Sequence, residues 1–360
     1  KKLPATLLSE RNRSCRDKYG RGTAPVLWGG CHHPGVATHG ALPKTSLILK
    51  PTPLHRLDRM SQMLGIDLWI KRDDLTGFAF GGNKGRKLEY LLGLAVLQGV
   101  EVVVTCGSAQ SNFIRQLAAG CTMLGIKFAA YVMQLPYEFQ PAEGGLRTEG
   151  GNLLLDEIVG ADIRLLDNDV WDVLMAKSTE LAEEYRALGK NVFEIPIGGS
   201  TPQGAYAFYE AASEIEGDFD WIVSASSSGS TQTGLTYAFH GSQPRVQGIA
   251  CDPEPAMVDE FVVLAEKLND IVGGNVRLGH EDFDFDLRYV GPGYGVPSAG
   301  SMDAIRTLAR TEGIFLDPIY TGKAFHGLME MAKSGEINGK VCFWHTGGLP
   351  ALFALPTLDL

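Results

Sequence analysis

A lysine directly after a glycine pair is the residue of this sequence best suited to covalent chemistry. The segment GGNKGRKLEY spans residues 81–90 and places Lys84 on a short turn at the predicted start of a helix. The positive end of a helix and the nearby Lys87 both disfavour a protonated amine, and a neutral amine can form an imine with a carbonyl compound. The alternative is that Lys84, Arg86 and Lys87 form an ordinary solvated face, and their spacing alone leaves both interpretations open.

A serine-rich turn has the composition of an anion site. SSSGSTQTG at 226–234 follows an apolar run and opens a helical pattern, so backbone N–H groups at a helix start could bind a phosphate. Leu235 stands where an ATP-binding P-loop has lysine, and no G-x-G-x-x-G follows the run, which excludes the P-loop and dinucleotide motifs. The alternative is that the turn only caps the helix, through Ser230 or Thr231.

Alternating strand and helix patterns predict the elements that position these turns. Short apolar runs, rich in β-branched residues, are typical of buried parallel strands; they lie at 68–71, 101–105, 128–133, 162–165, 191–195, 221–226, 245–250 and 341–344. Helical spacing occurs at 86–98, 111–124, 170–188, 203–215, 231–239, 301–311 and 323–334. Two of the runs, at 102–108 and 221–226, lead into a small-residue turn and then a helix. We therefore predict an α/β protein with two doubly wound open-sheet domains, and a ligand at the carboxyl ends of the strands.

Composition narrows the function classes. The 360 residues carry a formal net charge of −10, which disfavours nucleic acid as a partner, and no apolar run is long enough to cross a membrane. The six scattered cysteines favour a reducing compartment, so we expect a cytoplasmic protein. Residues 1–50 carry nine basic side chains against two acidic ones, which indicates either a solvated extension or an organelle-targeting peptide. No metal is predicted, because Cys31, His32, His33 and His39 lack the spacing of a zinc module.

Seven motifs in order then identify a family resemblance covering about residues 51–355. The chain resembles the pyridoxal-phosphate enzymes of the tryptophan synthase β-subunit fold type, specifically the 1-aminocyclopropane-1-carboxylate deaminase and D-cysteine desulfhydrase family. The motifs are KRDDLTG (71–77), GGNKGRKLEYL (81–91), SAQSN (108–112), GSTQ (229–232), GYGVP (293–297), DPIYTGKA (317–324) and HTGG (345–348). The resemblance implies pyridoxal 5′-phosphate as cofactor, a small amino acid as substrate and a homodimer.

The resemblance also implies a role for each matching residue. Lys84 would form the imine with the cofactor and move the α-proton, with Asn83 beside it, and Asn112 would bind the phenolic oxygen of the ring. Thr346 would face the pyridine nitrogen, and Tyr294 and Tyr320 would be catalytic, although tyrosines at such positions are ordinarily core aromatics. The phosphate would be held by Lys87, Ser228, Gly229, Ser230 and Thr231. The substrate would be bound by Gln110, Ser111, Asn112 and Thr321, with Ser111 also catalytic and able to cap the following helix.

Two positions bear on the substrate. Where the resembling deaminases have Glu and Leu, this chain has Thr321 and Thr346, so we predict α,β-elimination from D-cysteine, giving pyruvate, ammonia and hydrogen sulfide. GSTQ is more similar to the deaminase branch, and Phe113 and Ser227 depart from the family pattern. The alternatives are opening of the cyclopropane acid to 2-oxobutyrate and ammonia, elimination from cysteate or another β-substituted alanine, and a non-catalytic cofactor carrier.

The predicted domains share the cofactor between them. A small domain at 85–195 is inserted into a large cofactor-binding domain made of residues 1–84 and 196–360, of which 1–45 form an N-terminal extension. The cofactor would lie in the cleft between the two domains.

Overall fold

The computed structural model of the protein describes residues 42–138 and 143–356. The strands of these residues are β1 (Leu54–Arg56), β2 (Asp67–Arg72), β3 (Val102–Ser108), β4 (Lys127–Met133), β5 (Asp162–Leu166), β6 (Val192–Glu194), β7 (Trp221–Ser226), β8 (Arg245–Ala250), β9 (Asp284–Asp286) and β10 (Lys340–His345). Their α-helices are α1 (Asp58–Leu64), α2 (Lys84–Leu97), α3 (Asn112–Leu124), α4 (Gly151–Ile158), α5 (Trp171–Ala187), α6 (Pro202–Ala211), α7 (Ser230–Phe239), α8 (Met257–Val272), α9 (Ala299–Glu312) and α10 (Thr321–Ser334).

The smaller sheet has four parallel strands in the order β5-β4-β3-β6. Every residue of the central strand β3 is buried, which is the pattern of a parallel strand covered by helices on both faces. This explains why the strand begins with three consecutive valines and does not alternate apolar and polar residues. The strand ends at Ser108, directly before the start of α3.

The larger sheet has six strands in the order β1-β2-β10-β7-β8-β9, all parallel except for the antiparallel pair β1 and β2. In the centre of this sheet Val341 lies opposite Trp221 and Phe343 lies opposite Val223. The cores of the two sheets together confirm the predicted fold class, an α/β protein with two open parallel-sheet domains.

Membership of the two sheets follows the chain in three blocks. All four strands of the smaller sheet lie between residues 102 and 194, and the larger sheet uses residues 54–72 and 221–345. The exact domain boundaries at residues 84 and 195 stay a prediction. The N-terminal extension to residue 41, with Cys31, His32, His33 and His39, lies outside the described residues.

Local sequence signals fix where the helices that carry the site begin. Ser111 precedes α3, and its hydroxyl accepts a hydrogen bond from the backbone N–H of Ile114. Thr201 caps α6 in the same way, followed by Pro202 at the first helical position, where a missing N–H has no cost. No helix of the described chain has the length and apolar character needed to cross a membrane.

Candidate active site

A single cleft collects most of the residues predicted for the site. It lies at the carboxyl ends of β3, β7 and β10 and at the starts of α2, α3 and α7. The predicted residues that line it are Asn83, Lys84, Lys87, Ser111, Asn112, Ser228, Gly229, Thr231, Tyr294, Tyr320 and Thr346. These residues come from six separate segments, so their convergence is a product of the fold.

Lys84 is the first residue of α2 and follows a turn that only glycine permits. Gly82 has φ of +123°, and a Cβ there would lie 2.6 Å from Nε2 of Gln116. The turn is held by the backbone N–H of Asn83, which donates to the carbonyl of Thr346 at 3.0 Å. Burial disfavours the ammonium and lowers the pKa of Lys84 from its ordinary 10.5 to about 8. The amine is therefore largely neutral at mildly alkaline pH and suited to attack a carbonyl carbon.

A second amine enters the cleft one helical turn later. Lys87 is 1% exposed, and its Nζ donates to the carbonyl oxygen of Gly198 at 3.2 Å. Burial, and then the neighbouring Lys84, lower the pKa of Lys87 well below its ordinary value. Among the described residues, no aspartate or glutamate lines the cleft. Two amines without a carboxylate make this a site for an anion.

The turn after β7 forms the opposite wall. Gly229 has φ of +91°, and a Cβ there would lie 2.2 Å from the ring of Phe261, so only glycine fits. The hydroxyl oxygens of Ser226 and Ser230 are buried and have no hydrogen-bond partner. Ser226 lines the cleft at the end of β7, and an unpaired buried hydroxyl in a cleft with two amines is a group that a bound phosphate would satisfy.

The amide of Asn112 has a fixed orientation. Its Oδ1 accepts hydrogen bonds from Nδ2 of Asn152 at 3.0 Å and from Nη1 of Arg115 at 3.3 Å. Because the oxygen is already engaged, the NH₂ group is left to donate to a ligand in the cleft. Asn83 is likewise oriented, with its Nδ2 donating to Oγ1 of Thr231 at 3.1 Å across the cleft.

Two tyrosines form a hydrogen-bonded pair in the cleft. The hydroxyls of Tyr294 and Tyr320 lie 2.5 Å apart, and Oγ of Ser108 lies 3.2 Å from the Tyr294 hydroxyl. Burial raises the pKa of Tyr294 to about 12 and that of Tyr320 well above its usual value. Both hydroxyls are therefore protonated at neutral pH and can donate a proton or a hydrogen bond.

Comparison with known proteins identifies the family. A family model described as "Pyridoxal-phosphate dependent enzyme" matches residues 45–347. The 1-aminocyclopropane-1-carboxylate deaminase of Burkholderia cenocepacia is 38% identical over 329 residues, which cover 87% of this chain and 96% of that protein. The chain belongs to the pyridoxal-phosphate-dependent enzymes. Its predicted membership of the 1-aminocyclopropane-1-carboxylate deaminase family is confirmed by these matches.

Two further relatives agree with this assignment. The deaminase of the same name from Burkholderia vietnamiensis is 37% identical over the same coverage of both chains. A solved structure described as an "ACC deaminase homologue" superposes with a TM-score of 0.79 at 35% identity, covering 87% of this chain and 94% of that one. The predicted fold type and the dependence on pyridoxal phosphate are therefore confirmed.

The cleft of this pyridoxal-phosphate enzyme fits its cofactor. The buried amine of Lys87 and the unpaired hydroxyl of Ser226 match an anionic phosphate, and the N–H groups at the start of α7 add the positive end of a helix. The amine of Lys84 is left for the aldehyde of the cofactor. Thr346 directly follows β10, and its neutral side chain is the one available to the pyridine nitrogen of the cofactor. The fit rests on the donor set of the cleft and on hydroxyls that otherwise lack partners.

Three residues predicted for the site do not line the cleft. The amide of Gln110 is used internally, since its Nε2 donates to the carbonyl of Arg147 at 2.8 Å and its Oε1 accepts from the N–H of Asn152 at 2.8 Å. The hydroxyl of Thr321 donates to Oδ1 of Asp317 at 2.7 Å and is fully buried at the start of α10. Ser230 is fully buried beneath the Gly229 turn.

Sequence reasoning missed other residues of the cleft. Ser108, Trp171 and Gln232 line it without having been predicted. The position of Ser108 at the carboxyl end of β3 was a usable signal, because ligands collect at that edge of a parallel sheet. Trp171 begins α5, far along the chain, and its ring centroid lies 5.4 Å from that of Tyr294. No pattern in the sequence indicates that contact.

Proposed function

We propose that the protein is a deaminating enzyme that eliminates the β-substituent of a small amino acid, with D-cysteine as the preferred substrate. The balanced reaction takes D-cysteine and water to pyruvate, ammonia and hydrogen sulfide. Family membership supports pyridoxal-phosphate chemistry on an amino acid, and the observation that carries the finer proposal is the neutral hydroxyl of Thr346 in the cleft.

The residues of the cleft have separate tasks in this proposal. Lys84 would hold the cofactor covalently, and its free amine would take the proton from the α-carbon of the substrate. Bound pyridoxal phosphate supplies an electron sink for the bonds of that carbon. The amide NH₂ of Asn112 donates to the phenolic oxygen, and Ser111 binds the substrate carboxylate. The phosphate is held by Lys87, Ser228, Gly229 and Thr231, with Ser230 beneath the turn.

Thr346 sets the electronic character of the cofactor. A hydroxyl carries no negative charge, so it does not hold a proton on the ring nitrogen as a carboxylate would. With that nitrogen unprotonated, bound pyridoxal phosphate would be a weaker electron sink, a setting that suits the loss of a good leaving group such as a thiolate. Thr321 does not contribute directly, because its hydroxyl is bound to Asp317.

The tyrosine pair supplies a proton at the other end of the reaction. Both hydroxyls are protonated at neutral pH, because burial raises both pKa values. One of them can donate to the departing sulfur, and the short contact between Tyr294 and Tyr320 stabilises the negative charge left on the donor.

A second candidate substrate is 1-aminocyclopropane-1-carboxylate. With water it would give 2-oxobutyrate and ammonia, and the names of the relatives that are 37–38% identical favour it. The tyrosine pair could serve as a proton donor here too, but the α-carbon of this substrate carries no hydrogen, so Lys84 would have to move a proton at another carbon. The two substrates differ in whether a leaving group departs.

An assay of keto-acid release distinguishes these proposals. Purified protein would be given D-cysteine, L-cysteine, cysteate and the cyclopropane acid in parallel. We expect D-cysteine to give the highest kcat/KM, and Thr346→Leu to lower it about tenfold, the effect of one lost hydrogen bond. Thr105→Val is the matched control, because its hydroxyl donates to the carbonyl of Ile195 away from the cleft.

Three outcomes would contradict the proposal. A preference of the wild type for the cyclopropane acid would assign it to the deaminases. Faster release of keto acid from cysteate than from D-cysteine would make cysteate the preferred substrate. Turnover no faster than that of free pyridoxal phosphate would make the protein a carrier. The homodimer and the domain boundaries at residues 84 and 195 remain proposals, to be tested by sedimentation and limited proteolysis.

A further inference from the structure

Arg115 is a buried cation with an unusual set of partners. It lies in the first turn of α3 and is 2% exposed. Its guanidinium donates to three neutral oxygens: Oδ1 of Asn152 at 2.8 Å, Oδ1 of Asn112 at 3.3 Å and the backbone carbonyl of Gly81 at 2.8 Å. No carboxylate of the described chain is within salt-bridge distance of it, although Asp156 and Asp317 act on its charge from farther away. Both oxygens of the buried Asp156 lack hydrogen-bond partners.

A buried arginine without a contacting carboxylate is unfavourable for stability if its only role is packing. Taking a guanidinium out of water is unfavourable, and burial lowers the pKa of Arg115 to about 10. Even a buried ion pair can often be replaced by well-packed apolar side chains of similar volume without loss of stability. A cation retained here without an ion-pair partner therefore indicates a task that its fixed fork of donors performs.

The guanidinium group of Arg115 connects two parts of the cleft wall. Nη1 contacts Asn112, whose amide faces the cleft, and Nη2 contacts Gly81, in the turn that ends at Lys84. Asn152 completes the arrangement by donating to Oδ1 of Asn112 at 3.0 Å while accepting from Nη1. One planar group thus sets the distance between the carbonyl of Gly81 and the amide oxygen of Asn112.

We propose that Arg115 is a positioning residue that aligns the amide of Asn112 with the glycine turn carrying Lys84. It keeps the oxygen of Asn112 occupied, so that the NH₂ group faces the ligand, and it fixes the turn from which the lysine extends. Arg115 itself touches neither substrate nor cofactor. The inference rests on the proposed role of Asn112 in binding the phenolic oxygen of the cofactor.

A double-mutant cycle tests this without substrate. The affinity for pyridoxal phosphate and the position of its visible absorbance band would be measured for wild type, Arg115→Met, Asn112→Ala and the double variant. We expect Arg115→Met to weaken the affinity about tenfold and to shift the band, and we expect both effects to be largely absent in the Asn112→Ala background. Arg164→Met is the control, since Arg164 lies on the partly exposed strand β5 and pairs with Glu184 of α5.

The outcomes separate positioning from stability. Additive effects of the two substitutions, or an unchanged band and affinity with only a lower melting temperature, would overturn the proposal. If Arg115→Met does not fold, Arg115→Lys replaces it. That variant keeps the charge but lacks the fork, so an affinity and a band equal to wild type would overturn the proposal as well.

The cycle also separates this proposal from the proposed function. If Asn112→Ala alone leaves the band and the affinity unchanged, Asn112 does not bind the cofactor and the role of Arg115 fails with it. The substrate assay above could still succeed in that case, because it depends on Lys84 and Thr346.

Discussion

Two buried regions of this enzyme hold several charged groups each, and they treat that charge in opposite ways. Beside β2, Lys71 and Arg86 lie against Asp73 and Glu214, with three N–O distances of 2.7 Å among them. We call these four residues the ionic cluster. In the cleft, Lys84 and Lys87 have no carboxylate among the described lining residues. The positive charges of the ionic cluster are neutralised by carboxylates of the same chain. Those of the cleft are neutralised only when an anion binds.

The difference teaches how to interpret buried lysines and arginines on one helix. Lys84, Arg86 and Lys87 are near neighbours on α2, yet Arg86 belongs to the ionic cluster while the two lysines line the cleft. The alternative of an ordinary solvated face is wrong, because Arg86 and Lys87 are at most 3% exposed. On this helix, the buried charge that is compensated has a structural role, and the uncompensated amines that line the cleft indicate a ligand.

The largest effect is expected in the cleft, from Lys84→Ala. This variant lacks the only amine that can hold the cofactor covalently in the proposed mechanism, so its visible absorbance band should disappear and turnover should fall by about 10³-fold. Absorbance spectra and keto-acid release measure both quantities. Lys190→Ala is the control, since that lysine pairs with Glu101 at the surface. A yellow, active Lys84→Ala protein would refute the assignment.

In the ionic cluster, the expected effect is on stability. Glu214→Gln removes one anion that both Lys71 and Arg86 contact at 2.7 Å, and loss of one partner from a buried ion pair costs about 3–5 kcal/mol. Urea unfolding of the protein measures this loss. The matched variant Glu210→Gln lies one helical turn earlier, where the carboxylate is 42% exposed and pairs with Lys44, and should cost less than about 1 kcal/mol.

Equal losses of unfolding free energy for Glu214→Gln and Glu210→Gln would contradict the contrast between the ionic cluster and the cleft. A large drop in cofactor affinity for Glu214→Gln would contradict it too, because the ionic cluster should support the fold and leave the ligand unaffected.

Much of the fold could be predicted because the strands are buried on both faces. The predicted strands 221–226 and 245–250 match β7 and β8 residue for residue. The strands β1 and β9 have three residues each, too few for periodicity to detect. Helix α8 was missed although Phe261, Leu264 and Leu268 show helical spacing and are buried, so its signal was present in the sequence.

The candidate site was predicted less completely, for a different physical reason. Motifs indicate which residue types are available, but they do not reveal which hydrogen-bonding groups the fold has already used. Thr321 and Gln110 belong to site motifs, yet Asp317 and Asn152 occupy their polar atoms. Conversely, Trp171 belongs to no motif and reaches the cleft only because α5 packs beside β3.

Lys87→Met would sharpen the comparison from the side of the cleft. Removing an uncompensated amine should not reduce the stability of the apoenzyme, since methionine can pack beside Phe208, over whose ring Nζ lies at 5.8 Å. The affinity for pyridoxal phosphate should fall about 10–100-fold, the value of one charge-assisted hydrogen bond. Urea unfolding and spectrophotometric titration measure the two effects, with the surface variant Lys177→Met as control.

The smallest expected effect is a shift in pH dependence at Lys84. Burial lowers the pKa of this amine to about 8, so apoenzyme should react with an added aldehyde at a rate that rises with pH and levels off above about 8. The ordinary lysine value of 10.5 as midpoint would show that the amine is solvated, and the contrast with the ionic cluster would then fail. In Lys87→Met the midpoint should fall further, because the Lys87 amine accepts a hydrogen bond and favours the ammonium form of Lys84, contrary to the expectation from the sequence that it would disfavour that form. Stopped-flow absorbance across pH 6–11 resolves the shift, and its direction reports whether the two amines interact.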